Sequence, residues 1–393
     1  MAKQTVSIVG AGLSGLSLGR CLQRRGIKAT LYDRNPSSPP NSYGISLYHE
    51  AYRHVLGALD VSESAFKSRV AVDAAIGGTG KVNNAAVNYM NDKLGNICFR
   101  ANRGKLEDWL REGLEIKWEH ELKDVVCSSS GKHSLIFANG QTVQSDIVIG
   151  ADGPHSSLRK SLLPDSKLEV HPMVVYNGKR RISRLDYETK ILPNMQDSTI
   201  INHEVDTPSI KAWLYFSLNE YKGDQVSVSW TYSRAAKGNE DVLYKSERAL
   251  SGAADIPPEL FHELQTLHQS GLPQPFADIF EPSLVKSDRI LHWLMRSVDV
   301  HQEQHLAISK QGIIAIGDAA HAEPIVGGYG ANLAIEDAAG IAMLIASGDN
   351  PDLSTWIEYR HQSSKSAHPN KLALTRATLT YPDLKTTTKS ENL

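Results

Sequence analysis

The stretch that most limits how this chain can fold lies near its start, where residues 6–15 read VSIVGAGLSG. An apolar strand leads into Gly10, Gly12 and Gly15, a helix follows, and a second strand ends at Asp33. In this setting the first glycine permits a tight turn, the second admits a pyrophosphate, and the third lets helix and strand pack closely. Asp33 follows Gly15 by about 18 residues, near the spacing of about 20 at which an acid binds ribose hydroxyls. The stretch predicts a dinucleotide site, without separating NAD from FAD.

A second strand, turn and helix pattern occupies residues 313–339, which read IIAIGDAAHAEPIVGGYGANLAIEDAA. The apolar run at its start predicts a buried strand that breaks at Gly317 and Asp318. The chain then turns through Pro324 and several glycines, and a helix begins near Asn332. Backbone N–H groups and the helix dipole at such a helix start favour an anion. A plain tight turn with glycines at positive φ has the same pattern, so this loop alone leaves both interpretations open.

Two further segments carry candidate ligand contacts. A buried strand at residues 147–149 ends at Asp152, within Gly-Ala-Asp-Gly, and a helix starts near residue 156. Taken alone, Asp152 is more typical of a turn. The other segment lies earlier in the chain, where Asn102 can cap the N-terminus of the helix that follows it. Arg103, in the first turn of that helix, is either a surface charge or a phosphate contact, since guanidinium binds phosphates well.

The three glycine-containing motifs occur in a characteristic order. Residues 10–15 with Asp33, then GADGPHSSLR at 150–159, then GDAAHAEPIVGGYGAN at 317–332 together resemble the motifs of group A FAD-dependent monooxygenases, the para-hydroxybenzoate hydroxylase type. Asn102-Arg103-x-x-Leu106 matches a further family position, an arginine near the FAD phosphates and ribose. The chain departs from the family at Asp33, where Glu is more usual, and at Tyr329, where Gln is usual.

The resemblance implies an α/β fold. It consists of a Rossmann-like FAD-binding domain (GR2/PHBH type) with an inserted antiparallel-sheet substrate domain and a C-terminal helix. On this basis we assign residues 1–75, 95–172 and 285–350 to a discontinuous FAD-binding domain. Residues 76–94 and 173–284 are assigned to the substrate domain, and residues 351–393 to the C-terminal helix and tail.

The resemblance also implies an activity, in which the flavin carries the chemistry. Non-covalently bound FAD is reduced by NAD(P)H and reacts with O₂ at C4a, and the resulting hydroperoxide hydroxylates a small aromatic or polyketide-like substrate. A second G-x-G-x-x-G domain is absent from the sequence, as the family's transient binding of NAD(P)H implies. Epoxidation, Baeyer–Villiger oxidation and a non-oxygenating reductase or isomerase stay open, because the fold alone does not decide between them. A flavin-dependent halogenase is disfavoured, since the sequence lacks a Trp-x-Trp-x-Ile-Pro segment.

The expected FAD contacts come from all of these motifs. They are Gly10, Gly12, Leu13, Ser14, Gly15, Asp33, Arg34, Gly44, Arg103, Asp152, Gly317, Asp318, Pro324, Gly328, Gly330, Ala331 and Asn332.

Substrate contacts are expected from two predicted antiparallel strands, residues 212–218 and 225–233. In the second strand, alternation places Trp230 and Tyr232 on one apolar face. That face either packs on a helix or lines a substrate chamber. The resemblance favours the chamber, so the expected substrate contacts are Trp213, Trp230, Tyr232 and Pro324. The candidate catalytic groups, including a base for a phenolic substrate, are His203, Tyr232 and Tyr329.

Composition excludes several classes of function. Lys and Arg number 42 against 44 Asp and Glu, so there is no electrostatic case for nucleic acid or an anionic membrane. No apolar run approaches the ~18 residues of a membrane span, and the opening residues run into a strand, so a signal peptide is not expected. The 3 cysteines fit a reducing compartment. His301 and His305 have no evident third ligand, so no metal is expected. We expect a cytoplasmic monomer or weak homodimer.

Overall fold

The structure, a computed structural model, describes residues 4–83, 98–128, 131–208, 210–298, 300–325, 328–348 and 351–367. The strands are β1 (Val6–Val9), β2 (Ala29–Tyr32), β3 (Gly44–Tyr48), β4 (Cys98–Asn102), β5 (Glu115–Lys117), β6 (Leu122–Val126), β7 (His133–Phe137), β8 (Thr142–Ser145), β9 (Ile147–Gly150), β10 (Glu169–Val170), β11 (Met173–Ser183), β12 (Ile200–Asp206), β13 (Lys211–Lys222), β14 (Gln225–Ala235), β15 (Arg289–His292), β16 (Arg296–Ser297) and β17 (Ile313–Ala315). The helices are α1 (Leu13–Arg24), α2 (His49–Leu59), α3 (Glu63–Val70), α4 (Arg103–Arg111), α5 (Ser157–Leu162), α6 (Arg184–Asp186), α7 (Pro258–Gln269), α8 (Phe276–Ile279), α9 (Pro282–Val285), α10 (Gln302–Ser309), α11 (Asp318–His321), α12 (Gly330–Ala346) and α13 (Ser354–Ala367).

A parallel sheet with the strand order β17-β9-β1-β2-β5 forms the nucleotide half of the molecule. Strands β1, β9 and β17 are buried along their whole length, as their apolar sequences predict. Because these strands are parallel, their carboxyl ends meet at one edge of the sheet. Gly10, Asp152 and Gly317 follow three of those ends, so the fold brings the three motifs together at the usual ligand edge of such a sheet.

Helices α1 and α12 pack against each other and against this sheet. The core between them includes Ile8, Leu16 and Ile341, all of which are fully buried. Helix α12 is apolar nearly all round because α1, α2 and α13 each contact it. None of the described helices is long and apolar enough to cross a membrane.

The second large sheet is antiparallel, with the strand order β12-β13-β14-β11-β15. Strands β13 and β14 correspond to the two predicted strands and are joined at Gly223, whose φ of 59° suits a tight turn. The fifth strand, β15, comes from inside the range that we assigned to the FAD-binding domain. Side chains on one face of this sheet form a core with helices α7–α9.

The observed architecture agrees with the predicted α/β class, an antiparallel sheet inserted into a parallel one. The C-terminal helix was assigned within residues 351–393, and α13 occupies Ser354–Ala367. Residues 368–393 lie outside the described residues, as do residues 84–97, which include most of the smaller segment, 76–94, of the assigned substrate domain.

Candidate functional site

The first glycine-rich turn is shaped by two close backbone contacts. Gly10 has φ 106°, and a Cβ there would lie 2.3 Å from the Ala151 carbonyl oxygen. A Cβ on Gly15 would lie 2.0 Å from the Gly10 carbonyl oxygen. At Gly12, by contrast, a Cβ would meet no atom within 4 Å. Packing therefore requires glycine at positions 10 and 15, whereas the space at Gly12 is open to a ligand.

The open space at Gly12 lies at the N-terminus of α1. Gly12 caps this helix without a side-chain hydrogen bond, so the N–H groups of its first turn, which starts at Leu13, are available to an anion. Ser14 Oγ is buried and has no hydrogen-bond partner within the described chain. A Cβ on Gly317 would lie 3.0 Å from this oxygen. These features fit a phosphate group held between α1 and the last glycine-rich loop.

Asp33 braces the same turn. Its Oδ2 accepts a hydrogen bond from Ala11 N at 2.8 Å, and its Oδ1 accepts from Asn35 N and Nδ2 at 2.9 and 2.8 Å. A carboxylate has about four acceptor positions, so Asp33 keeps capacity for a ribose hydroxyl. The next predicted contact, Arg34, is exposed.

Asp152 has one satisfied and one unsatisfied oxygen. Its Oδ2 accepts from Ser157 N at 2.7 Å and from Leu158 N at 3.3 Å at the start of α5. Its Oδ1 is buried without a hydrogen-bond partner among the described residues. Burial raises the pKa of the Asp152 carboxyl above its usual range, and the hydrogen bonds it accepts offset this only in part. Asp152 is thus a turn residue and also a candidate ligand acceptor.

Asp318 lies just after β17, between Arg103 and the start of α12. Burial raises the pKa of the Asp318 carboxyl, and the neighbouring His321 and Arg103 lower it by less. A Cβ on Gly330 would lie 3.4 Å from Asp318 Oδ1, so this carboxyl faces the N-terminus of α12. The position suits a bond to a ribityl or ribose hydroxyl, which is the role we expect for Asp318.

Protein groups hold Arg103 in place. Its Nε donates to Glu107 Oε1 at 2.8 Å and its Nη1 donates to Tyr43 Oη. Asn102 caps α4, as predicted, by accepting from Lys105 N at 3.1 Å. Arg103 therefore presents a fixed positive charge near Asp318, and it retains other N–H donors for a phosphate.

Gly44 is explained by packing against an arginine that sequence reasoning missed. Arg100 is buried, and its guanidinium donates to Gly44 O at 2.8 Å and to Ser46 Oγ at 3.2 Å. A Cβ on Gly44 would lie 2.7 Å from Arg100 Nη2 and 2.8 Å from Leu218 O. The signal in the sequence is a charged residue at an inward position of the short strand β4.

The end of the last loop is joined to β3. Asn332 Oδ1 accepts from Tyr48 N at 2.8 Å, and its Nδ2 donates to Ser46 O at 3.0 Å and Gly328 O at 3.2 Å. The ring of Tyr329 stacks on that of Tyr48, with centroids 5.7 Å apart. Burial raises the pKa of the Tyr329 phenol, so it is neutral near pH 7. Pro324, Gly330 and Ala331 are half-buried.

Three predicted substrate or catalytic residues lie on the helix-covered face of the antiparallel sheet. Trp230 donates from Nε1 to Asp288 Oδ2 at 2.7 Å. Tyr232 donates to Glu263, and the His203 ring lies 5.5 Å from that of Phe276. Trp230 and Tyr232 are no more than 1% exposed. This placement argues against the chamber roles that we expected for Trp230 and Tyr232 and against the catalytic roles that we expected for Tyr232 and His203. Helices α7–α9 cover that face, and the sheet separates it from the opposite one.

The opposite face, which we call the open face, carries Trp213, Tyr215, Asn177 and Thr231, all half-buried. Cross-strand partners share a face, and Tyr215 pairs with Thr231, whose Oγ1 accepts from Asn177 Nδ2 at 3.0 Å. Of the predicted substrate aromatics, Trp213 therefore takes the open face.

Several hydrogen bonds tie strands that carry the open face to the nucleotide half, among them one at Gly44 and one at Ser42. Asn219 Oδ1 accepts from Gly44 N at 3.0 Å, next to an irregularity in the β13–β14 pairing. Lys179 Nζ donates to Ser42 O at 2.6 Å. Irregularities such as the one between Leu218 and Glu220 are frequent beside active sites. Asn219 could not be found from the sequence, since a single asparagine in a strand is not distinctive.

Comparison with protein-family models identifies the nucleotide half. Residues 3–175 and 283–358 match the model described as the FAD binding domain, which covers more than half of the chain. The chain is a member of this FAD-binding family. The glycine turn, the orphaned Ser14 and Asp152 oxygens and the open space at Gly12 all fit FAD.

Curated relatives name the enzyme class. The FAD-dependent monooxygenase nscC of Trichophyton tonsurans is 31% identical over 362 residues, covering 88% of this chain and 85% of the relative. The FAD-dependent monooxygenase vrtH of Penicillium aethiopicum is 31% identical over 370 residues, 90% of this chain and 87% of the relative. The chain is accordingly an FAD-dependent monooxygenase.

Solved structures share the whole architecture. The 2,6-dihydroxypyridine-3-hydroxylase of Arthrobacter nicotinovorans has a TM-score of 0.69 at 17% identity, covering 99% of this chain and 100% of that one. The tetracycline destructase Tet(51) has a TM-score of 0.62 at 15% identity, with 96% and 92% covered. At these identities the likeness shows the fold, and it extends through both sheets.

Proposed function

We propose that this monooxygenase uses NAD(P)H and O₂ to hydroxylate a small aromatic or polyketide-like compound of secondary metabolism, as a monomer or weak homodimer. Bound FAD, once reduced, supplies the oxygen-activating chemistry. The protein's own part is to hold the flavin, admit the reductant, orient the ring of the substrate and exclude water. The open face of the antiparallel sheet, facing away from helices α7–α9 and anchored beside β3, is the observation that carries this proposal.

The open face suits a flat substrate with hydroxyl groups. Trp213 and Tyr215 supply aromatic surface, and Asn177 and Thr231 supply donors and acceptors. The Asn219–Gly44 bond fixes this face relative to β3, and Asn332 joins β3 to the last glycine-rich loop. We therefore place the substrate between the open face and the Tyr48–Tyr329 stack, with the flavin ring beside residues 328–332.

Tyr329 is the predicted catalytic group that we retain. It caps the N-terminus of α12, and its phenol stays protonated near neutral pH because burial raises its pKa. A neutral phenol donates or accepts a hydrogen bond but is a poor base. We assign Tyr329 to substrate orientation, and we assign no residue as a base.

A cluster of cationic side chains beside Asp152 supports binding of NAD(P)H. Arg296 Nη1 lies 3.5 Å from His155 Nε2. Burial lowers the pKa of His155, and Arg296, Lys160 and Arg34 lower it further. The cluster supplies a positive surface to dinucleotide phosphates at the edge of the flavin site. It also supports a role for Arg34 toward the reductant, while the FAD contact that we expected of Arg34 stays a prediction.

Two solved neighbours illustrate the chemistry of possible substrates. By their names, one hydroxylates a dihydroxypyridine and the other acts on tetracycline, a fused-ring compound. Both are ring systems that carry hydroxyl groups. This agrees with the mixture of aromatic and polar side chains on the open face and supports a hydroxylated mono- or polycyclic aromatic as the substrate here.

The test is a substrate screen with the purified, FAD-loaded protein. NADH and NADPH are each offered with a panel of hydroxylated monocyclic and polycyclic aromatics. We expect a subset to accelerate reductant oxidation and to gain one oxygen atom on the ring, measured by mass spectrometry. A ring-expanded ester as product would instead establish Baeyer–Villiger oxidation. Failure of both reductants to bleach the flavin, with every compound, would overturn the proposal in favour of a non-redox flavoprotein.

A further inference from the structure

A buried carboxylate that the proposed function does not use lies at the centre of four hydrogen-bond donors. Asp337, in the middle of α12, has a side chain that is 2% exposed. Its Oδ2 lies 2.8 Å from Gly317 N and 2.5 Å from His321 Nε2. Its Oδ1 lies 3.1 Å from Trp356 Nε1 and 3.0 Å from Arg360 Nε. Oδ2 thus binds the segment at residues 317–321, and Oδ1 binds the C-terminal helix α13.

Asp337 is charged in this setting. Burial by itself raises the pKa of a carboxyl group, but Arg360, His321 and the Gly317 N–H together lower the pKa of Asp337 well below its usual range. A buried charge of this kind is retained only where its partners stay in place. The contacts of Asp337 are therefore coupled, since the loss of one donor weakens the environment that keeps the carboxylate ionised and the others bound.

Helix α13 packs on α12 in one specific register. A Cβ on Gly340 would lie 2.1 Å from the Trp356 ring, so the glycine leaves a notch that this ring fills. Ile357 is 7% exposed in the core of the nucleotide half. Arg360 also reaches Glu336 at 3.5 Å, and its Nη2 lies 3.3 Å from His321 Nε2. These contacts fix the register of α13 and with it the direction of the Arg360 and Trp356 donors.

The other end of the cluster controls the geometry of Asp318. Gly317 has φ 56°, a conformation that glycine allows but does not by itself select. The hydrogen bond from Gly317 N to Asp337 selects it, and Asp318 follows directly in the chain. Asp318 begins the short helix α11, and His321, the second contact of Asp337 Oδ2, ends it. Asp337 therefore holds both ends of the segment that points Asp318 toward Gly330.

We propose that Asp337, Trp356 and Arg360 are positioning residues for the flavin, and that α13 belongs functionally to the FAD site through its contacts with Asp337. The inference rests on the flavin site and the activity described above. Through Asp337, the C-terminal helix sets the backbone of residues 317–321, and this backbone sets the carboxylate of Asp318 toward the flavin.

The experiment uses conservative variants of the full-length protein. Arg360→Lys keeps the charge but loses the planar fork, and Trp356→Phe keeps the ring in its notch but removes the Nε1–H. Arg360→Ala removes both charge and donors. Apoprotein of each is titrated with FAD, and the visible circular dichroism of the bound flavin and its midpoint potential are recorded well below the unfolding temperature. Ile357→Ala is the matched control, because it weakens the packing of α13 without removing a donor to Asp337.

We expect Arg360→Ala to weaken FAD binding at least about tenfold, the effect of losing one charge-assisted hydrogen bond, and to change the flavin circular dichroism. Arg360→Lys recovers part of the affinity, and Trp356→Phe shifts the spectrum with a smaller change in affinity. Ile357→Ala lowers the unfolding temperature but binds FAD within about twofold of wild type.

Wild-type affinity, spectrum and potential in both Arg360→Ala and Trp356→Phe would overturn the inference and leave the cluster a purely structural one. Equal losses of affinity in Ile357→Ala and Arg360→Ala would do the same, because the loss would then follow stability. A wild-type protein that binds FAD but oxidises no NAD(P)H refutes the proposed function and leaves these titrations interpretable.

Discussion

The nucleotide half and the antiparallel sheet shape their sites in different ways. Around β1, the site is made by the backbone, because Gly10 and Gly15 allow close approaches that a side chain forbids. On the antiparallel sheet, the site is made by side chains, and the face on which a residue lies decides its role. Trp213 and Trp230 have the same chemistry and lie on neighbouring strands, yet one is half-exposed and the other is in the core.

This difference affects how each half responds to substitution. A backbone site fails when any Cβ intrudes, whatever the chemistry of the side chain. A side-chain site fails only when the residue on the correct face changes, and residues on the other face affect stability instead. Four predictions examine this contrast, and they run from the largest expected effect to the smallest.

The largest effect is expected for Gly10→Ala, with Gly12→Ala as its matched partner. At Gly10 the new Cβ meets the Ala151 carbonyl at 2.3 Å and φ is 106°, so we expect a loss of ~3 kcal/mol or more in apoprotein stability. At Gly12 the Cβ enters open space at φ −83°. Gly12→Ala should leave apoprotein stability within ~0.5 kcal/mol but weaken FAD binding more than about tenfold, by denying space to the phosphate. Urea unfolding and FAD titration measure the two effects, and wild-type FAD affinity in Gly12→Ala would contradict our placement of the phosphate.

Acid should destabilise both halves through one buried neutral histidine in each. Burial lowers the pKa of His305, with a further contribution from His321, and it lowers that of His292, with a contribution from Arg248, to about 4 in both cases. The unfolded values lie near 6.5, so the unfolded chain binds more protons between these limits. Stability is therefore complete above pH ~6.5 and falls toward pH 4, by about 3 kcal/mol for each group.

Urea unfolding of the apoprotein between pH 4 and 8 tests this window. His305→Gln can still accept a hydrogen bond from Ala315 N. It should reduce the loss of unfolding free energy between pH 6.5 and pH 4 that comes from the nucleotide half, and His292→Gln should reduce the loss that comes from the antiparallel sheet. If the free energy of unfolding falls with pH as steeply in both variants as in wild type, other groups cause the acid sensitivity.

Asp318→Ala should weaken FAD retention by about 10- to 100-fold, since it removes an acceptor for a flavin hydroxyl. The apoprotein should fold normally. Burial raises the pKa of the Asp318 carboxyl, which means that its charged form is unfavourable in the folded protein, so removing it does not destabilise the fold. Flavin occupancy after purification and the dissociation constant of FAD are the measurements. Wild-type occupancy in this variant would count against the role assigned to Asp318.

The smallest effects are expected for a pair of tryptophan variants on the antiparallel sheet. Trp230→Phe removes the 2.7 Å donor to Asp288 Oδ2, which keeps its hydrogen bond from Arg180 Nη2. This change should cost ~1 kcal/mol of stability, with KM for the substrate unchanged. Trp213→Phe should change KM by about threefold or more, with a shift in unfolding temperature of no more than a few degrees. The reverse pattern would place the substrate on the helix-covered face after all. Thermal melts and steady-state kinetics with a substrate from the screen distinguish the two results.

The sequence by itself determined the nucleotide half of this protein. Gly10, Asp152 and Gly317 each follow an apolar strand, and parallel strands end at one edge, so local pattern and chain order suffice to assemble three distant motifs. Glycine positions are also local requirements, because they depend on the turn of the backbone and its immediate contacts. For this reason a dinucleotide site could be predicted without the structure, whereas FAD and the enzyme class followed from the resemblance of the three motifs to those of group A monooxygenases.

Only the tertiary structure decided the remainder. Alternation showed that Trp230 and Tyr232 share a face, but periodicity cannot tell which face the helices α7–α9 will cover, since both faces of a strand are equivalent until another layer packs on one. Asp337 is the second case. The pair Glu336–Asp337 in an otherwise apolar helix is a visible signal of a buried charge, but its partners come from segments about 20 residues away on either side, and α13 had to dock before they could meet.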